Sequence, residues 1–405
     1  MTEHFADVHP GLKARLVIGE SGSRPLSLRE EIATGTYAPV VTEGLIDQVE
    51  RAGLRGRGGS GFAAHRKWRA VREGGGPRVV VANGEEGEPS SFKDRWLLTN
   101  RPHAVIDGLL LAAAAIGADR AVIYLSHPET VLSVRKAVAE SPSLPGRVAV
   151  EIHVVEPRYV AGEETAVCRA INGGPALPFS KPPRPFESGV DGRPTLVSNV
   201  ETLVQAAWIA RNGAAKYRAL GTSTSPGTML VTLGGACRRP GVYEVPYGLT
   251  LGQLIEDCAG GLSGAIGGVL AGGWFMGVAD ASLLDATWCF DAMRAAGSGV
   301  GCGAVTVLGD DERIEEVVAR LARWYVEESA QQCGVCVKGT AAIADTLELF
   351  SRGSAQPDAL ANLARWGTTL QGRGACAFLD GAANLAGTFS KIITSDLALH
   401  PAAVN

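Results

Sequence analysis

Six stretches of the sequence carry residue types that could do chemistry. The first, GLRGRGGSGF at 53–62, puts five glycines in nine positions beside Arg55 and Arg57, with Lys67 a few residues on. Glycines let backbone N–H groups close on an anion, and a helix starting after them adds its positive end. The pattern suits a phosphate or pyrophosphate held by Gly56, Arg57, Gly58 and Gly59. It is not a Walker A motif, because no Gly-Lys-Ser/Thr follows, and not a clean dinucleotide fingerprint, because no strand stands directly before it. As structure alone it is a flexible turn.

The second stretch, NGEEGEP at 83–89, crowds Glu85, Glu86 and Glu88 behind Asn83 at the end of an apolar strand, with Lys93, Asp94 and Arg95 after it. In an open α/β sheet, ligands sit at that end of the strands, and carboxylates there accept hydrogen bonds from hydroxyls or a carboxamide. A solvated acidic turn is the plainer reading. The third, YVAGEET at 159–165, reads as a turn through Gly162 into a helix whose first residues, Glu163 and Glu164, suit its positive end. The fourth, Lys181 with Pro182 and Pro183, is a stiffened lysine able to hold an anion. The fifth is Ser198, Asn199 and Thr202 at a helix start, where an asparagine can hydrogen-bond a heterocycle.

The sixth is Cys333, Cys336 and, after 39 intervening residues, Cys376. A C-x-x-C pair sets two thiolates within reach of one metal or cluster, and a distant third can complete the shell. Zinc asks for four ligands and no histidine is near. A thioredoxin-like pair would want a βαβ setting, whereas this pair follows a long helix. An iron–sulfur centre fits better, and buried free thiols are the bland alternative. Cys168, Cys237, Cys258 and Cys289 read as core, with Cys302 the doubtful one.

These stretches need elements to position them. Helices are expected over 44–52, 65–73, 104–117 and 128–140, with strands over 78–82, 121–125 and 148–155. Strands alternating with helices imply βαβ units and a parallel sheet, running to about residue 220. Strand-like pieces at 229–233, 241–245 and 268–270 around a helix at 250–259 make a small α+β module over 226–310. Helices at 313–329, 339–351, 358–369 and 381–393 follow. The 405 residues are 46% hydrophobic and 20% charged, enough to bury two to four cores. Lys+Arg 38 against Asp+Glu 42 gives −4, which excludes the basic surface a nucleic acid or anionic membrane would want. The longest apolar run, about 108–116, is short of the ~20 residues of a span. With no apolar export segment seen near residue 1, the expectation is a chain in the reducing cytoplasm.

Taken in order, the stretches resemble the flavin-bearing, NADH-oxidising subunit of respiratory complex I and the diaphorase subunits of NAD-linked hydrogenases and formate dehydrogenases. The match includes Trp68, Glu328-Ser329 and Asp380 with the residues above, and spans about 30–395. The resemblance implies an α/β fold: a Rossmann-like FMN domain (1–225), a β-grasp, ubiquitin-like SLBB domain (226–310) and a helical bundle with the iron–sulfur site (311–405). It implies that the glycine loop and Lys67 hold FMN. Asn83, Glu85, Glu86, Tyr159, Gly162, Glu163, Ser198, Asn199 and Thr202 would surround it. Phe62, Glu88, Glu164 and Lys181 would contact NAD(P)H, with Glu88 and Glu164 the catalytic candidates. Electrons would pass from NAD(P)H through FMN and a cluster at Cys333, Cys336 and Cys376 to a ferredoxin or thioredoxin-like iron–sulfur partner. The alternative is a flavin and iron–sulfur subunit that no longer uses a nicotinamide nucleotide.

The chain departs from the family's pattern in two places. Glu-Ser-Cys-Gly-x-Cys-x-x-Cys is usual, but Ala330 stands where the first cysteine belongs. That leaves a non-cysteine ligand, water, Cys302, a three-iron cluster or no cluster. In the nucleotide pocket Ala70 and Arg184 replace aromatics, leaving Phe62 of three that would sandwich the adenine. Arg184 could compensate by stacking or by pairing with a 2′-phosphate.

Overall fold

A computed structural model describes residues 5–141 and 148–399. β1 (Ala6–Val8) lies near the N-terminus. β2 (Arg78–Asn83), β3 (Ala118–Leu125), β4 (Val150–Val154) and β5 (Thr195–Asn199) form a four-stranded, wholly parallel sheet of order β4-β3-β2-β5. The run of valines in β2 explains its central place: alternate side chains point to opposite faces. Val80 and Ala82 enter one core, and Val79 and Val81 the other. Helices Pro102–Ile116 and Val200–Asn212 pack together against the first face, and Glu164–Ile171 covers the second. Asn83 pairs in register with Asn199, so the C-terminal ends of β2 and β5 lie side by side.

β6 (Thr228–Gly235), β7 (Gly241–Pro246), β8 (Ile266–Ala271) and β9 (Ala304–Gly309) build a second sheet, of order β1-β7-β6-β9-β8. β6 pairs antiparallel with β7 and β8 with β9, whereas β6 runs parallel to β9. The helix Leu251–Ala259 starts at a capping box of Thr250 and Gln253. β1 pairs with β7, and buried Glu244 accepts the N–H groups of Arg15, Leu16 and Val17. The N-terminal stretch, placed by the resemblance within the first unit (1–225), thus edges the second sheet.

Four helices close the described residues: Ile314–Glu327, Gly334–Ser351, Ala359–Thr369 and Phe378–Leu399. The last two cross closely, since a Cβ on Gly367 would stand 2.6 Å from Gly387 Cα. No helix among the described residues is long and apolar enough to cross a membrane.

The expected elements are present with shifted ends. The cysteine helix begins at Gly334, not 339, placing Cys336 in its first turn. The helix Lys93–Asn100, and all of Val200–Asn212 beyond the start expected at 198–202, escape the sequence pattern for one physical reason. Lys93, Asp94, Glu201, Thr202 and Gln205 are buried polar groups, so neither helix shows an apolar stripe with a wet back.

Candidate functional site: a ring of loops at the strand ends and a three-cysteine cavity

The glycine loop joins helices Leu45–Ala52 and Ala64–Glu73, so no strand precedes it, as the sequence indicates. It closes on itself through Gly56 N–H donating to Phe62 O at 2.8 Å. Buried Trp68 anchors the following helix. Arg57 N–H donates to Thr202 Oγ1 at 2.9 Å, and a Cβ on Gly58 would come 3.3 Å from Asn199 Cβ. The loop is therefore laid over the start of helix Val200–Asn212. Gly59, at φ +114°, has nothing within 4 Å of where a Cβ would point, so backbone there borders open space.

The acidic turn meets the same place from the other strand. Asn83 Nδ2 donates to Gly162 O at 2.9 Å, and a Cβ on Gly162 would lie 3.3 Å from Glu85 O. Asn199 Nδ2 donates to Asp94 Oδ2 at 2.6 Å. Ser198 is buried within β5. Glu163 caps the helix Glu164–Ile171 by accepting the Thr165 and Ala166 N–H groups.

Two lysines converge on the next residue. Lys67 Nζ is 2.8 Å and Lys181 Nζ 3.0 Å from the Glu164 carboxylate, Lys181 also reaches Glu163 at 2.8 Å, and Lys67 donates to Val197 O at 3.3 Å. Burial works against charge on Glu164, but the two ammonium groups outweigh it and hold the carboxyl at about 2. Phe62 stays 50% exposed at the loop's end, and Arg184 is exposed. The structure thus brings Gly58, Gly59, Lys67, Asn83, Glu85, Gly162, Glu163, Glu164, Lys181, Asn199 and Thr202 into one ring.

Other candidates face elsewhere. Arg57, read as a charge for the loop, is fully buried: Nη2 donates to Tyr217 Oη and Thr228 O at 3.0 Å each, and Glu201 is 3.6 Å from Nε. Its charge is neutralised inside the fold, and only its backbone N–H belongs to the ring. Glu86 accepts from Ser91 Oγ and from the Asp94 and Arg95 N–H groups, so it holds the start of helix Lys93–Asn100 rather than a ligand. Glu88 turns into the second unit, accepting from Ser90 Oγ at 2.8 Å and the Trp274 N–H at 3.2 Å. Burial lifts Glu85 and Glu88 to about 7 each. Glu85 Oε2 ends without a hydrogen-bond partner in good geometry.

Glu201 is the residue whose role sequence reasoning passed over, and with it the pairing of Lys93. Lys93 Nζ lies 2.8 Å from Asp94 and 3.0 Å from Glu201, all three buried. Burial opposes charge on Lys93, yet these carboxylates keep it protonated. The basic and acidic residues after the turn were visible in the sequence. Their long-range partner was not.

The three cysteines line one cavity of about 260 Å³, with Phe179, Ser329, Ala330, Gln332 and Phe378 among its walls. Burial raises the thiols of Cys336 and Cys376. Among the described residues no three His, Cys, Asp or Glu side chains converge tightly enough for a single metal ion. The cavity is several times a water's share of ~30 Å³, and three sulfur side chains around it are the donor type that holds an iron–sulfur cluster. Glu328 Oε2 accepts the Tyr159 N–H at 3.0 Å, tying the ring to the cysteine stretch. Tyr159 then packs on Phe378 and Trp324 at 5.5 and 5.1 Å between centroids. It is an aromatic bridge between ring and cavity rather than part of the ring's polar lining.

Comparison with known proteins agrees in place with both sites. Residues 49–208 match the Nuo51 FMN-binding domain, and 316–398 the NADH-ubiquinone oxidoreductase-F iron-sulfur binding region. The F 2 subunit of NADH-quinone oxidoreductase in Rhizobium meliloti (strain 1021) is 35% identical over 380 residues, covering 90% of this chain and 89% of that protein. The corresponding F subunit of Aquifex aeolicus (strain VF5) is 34% identical over 328 residues, covering 77% and 75%. A crystal structure of an NAD+-reducing [NiFe]-hydrogenase in the H2-reduced state superposes with a TM-score of 0.81 at 33% identity, covering 93% of this chain and 67% of that one.

Proposed function

Since the chain belongs to the family of NADH-quinone oxidoreductase F subunits, we propose that it oxidises NADH at a bound FMN. Electrons then leave through an iron–sulfur cluster to an iron–sulfur partner subunit. The observation that carries this reading is the ring at the ends of β2 and β5, joined to the three-cysteine cavity through Tyr159 and Phe378. When bound, the flavin supplies hydride acceptance and the release of single electrons, chemistry that belongs to the cofactor.

The residues orient and select. Backbone N–H groups at Gly58 and Gly59, with the N-terminus of helix Ala64–Glu73, offer donors and a positive end to a phosphate. Asn83, Glu85 and Asn199 present polar atoms to the remainder of the FMN. Lys67 and Lys181 hold Glu164 ionised, and their ammonium groups are available to the phosphates of a dinucleotide. Phe62, half exposed, offers a face to an adenine. The order β7-β6-β9-β8 with helix Leu251–Ala259 supports reading 226–310 as a β-grasp domain between a flavin domain (1–225) and a cluster bundle (311–405).

Titration of flavin-free protein with FMN tests the reading. Quenching of flavin fluorescence to a one-to-one end point is expected, and fluorescence unchanged by the protein contradicts it.

A further inference from the structure

The cysteine cavity supplies fewer ligands than a four-iron cluster is usually given. Such clusters are held by four thiolates in the common case, and this cavity contributes Cys333, Cys336 and Cys376. Among the described residues no other cysteine reaches it. Cys168 is packed in the core beneath the first sheet, and Cys237, Cys258 and Cys289 in that of the second. Cys302 lies toward Glu88: its sulfur is 3.7 Å from Gly272 O, and a Cβ on Gly273 would stand 3.0 Å from it and 2.8 Å from Glu88 Oε2. It is not part of the cavity wall.

Of the polar side chains in the wall, which also include Ser180, Gln332 is held at both ends and Gln331 and Ser329 each make one hydrogen bond. Gln332 Nε2 donates to Pro178 O at 2.8 Å, and its Oε1 accepts from Arg169 at 3.2 Å. Gln331 Nε2 donates to Val326 O at 3.2 Å. Ser329 Oγ accepts the Gln331 N–H and lies 3.7 Å from the Cys336 sulfur. At the remaining position stands Ala330, whose methyl offers no donor, and its neighbours Gln331, Gln332 and Gly334 are exposed to solvent.

Resting on the cluster reading above, we propose that the iron facing Ala330 has no protein ligand and takes a small anionic donor from solution. Three irons keep a thiolate each, and the fourth is exchangeable. A one-electron oxidant removes it in a balanced way. Ferricyanide takes one electron from [4Fe–4S]2+, and the resulting 3+ core separates into [3Fe–4S]+ and Fe2+, leaving as many irons as the cavity has thiolates.

The experiment uses the whole chain, reconstituted anaerobically with ferrous iron and sulfide, and its Ala330→Cys variant. Iron is assayed and EPR spectra are recorded. Ferricyanide should release one iron of four from the wild type and produce the oxidised three-iron signal, while A330C keeps all its iron. Cyanide, as the small anionic probe, should change the spectrum of the reduced wild-type cluster and leave that of A330C unchanged. Repeating the assay with a small thiol separates the sources: a spectral shift names thiolate as an accepted donor, and none names the hydroxide of water. Cys302→Ser should match the wild type. Wild type that keeps all its iron and ignores cyanide, or a C302S protein that loses its cluster, overturns the proposal. Protein that takes up no iron or sulfide overturns the cluster reading itself.

Discussion

Glu164 sits between two ammonium groups, whereas Glu85 and Glu88, on the facing turn, are buried without a close cation. The same side chain is thereby set to opposite protonation tendencies within one fold. Lys181→Met removes one of the two cations and should raise the KM for NADH roughly 10- to 100-fold, from ~1.5–3 kcal/mol for a charged hydrogen bond. Steady-state rates with ferricyanide as acceptor measure it, and an unchanged KM contradicts it. For Glu88 the effect appears in stability. Burial raises its folded-state pKa from 4.5 to about 7, so the stability it gives is fully present below about 4.5 and lost as pH rises through 7. The loss is roughly 3 kcal/mol. Urea unfolding at about pH 5 and about pH 8 should show a smaller decline in Glu88→Gln than in the wild type. An equal decline is the contrary result. At this scale the sequence was half legible. Residue types at 83–88 pointed to a site, but Glu86 and Glu88 face helix and sheet, because a turn's side chains alternate directions that composition does not record.

Loops carry the ring, and glycines carry the loops. At Gly87 a Cβ would stand 2.4 Å from Tyr159 Cα, a backbone atom that cannot swing away. Gly87→Ala should therefore lower stability by about 1–3 kcal/mol and loosen the acidic turn from Tyr159. Gly75→Ala, with nothing within 4 Å, should not. Thermal melts of the two variants check the contrast, and equal midpoints contradict it. Elements with clean periodicity were readable from sequence: helix Ile314–Glu327 with its apolar face, and the valine run of β2. The helix Lys93–Asn100 and the body of Val200–Asn212 beyond its expected start were not, because the groups that fix their places are buried ions whose partners lie far along the chain. The loop's flanking helices and the cysteine spacing were readable because both are local.

At the scale of the whole molecule, buried charge joins the first unit to the second sheet. Glu201 accepts the Leu230 N–H at 3.0 Å while facing Lys93 and Arg57. Removing one partner from such a set leaves uncompensated charge, so Glu201→Gln should cost about 3–5 kcal/mol. Denaturant unfolding measures the loss, and a change below about 1 kcal/mol would show that the network contributes little. A separate contact, Tyr159 on Phe378 of the last helix, sets the ring against the cysteine cavity. Hydride acceptance at the ring is tested most directly by anaerobic stopped-flow mixing of the flavin-loaded chain with NADH, followed at the flavin absorbance. Bleaching that saturates with NADH is predicted. A flavin that stays bound and coloured with both NADH and NADPH would contradict it.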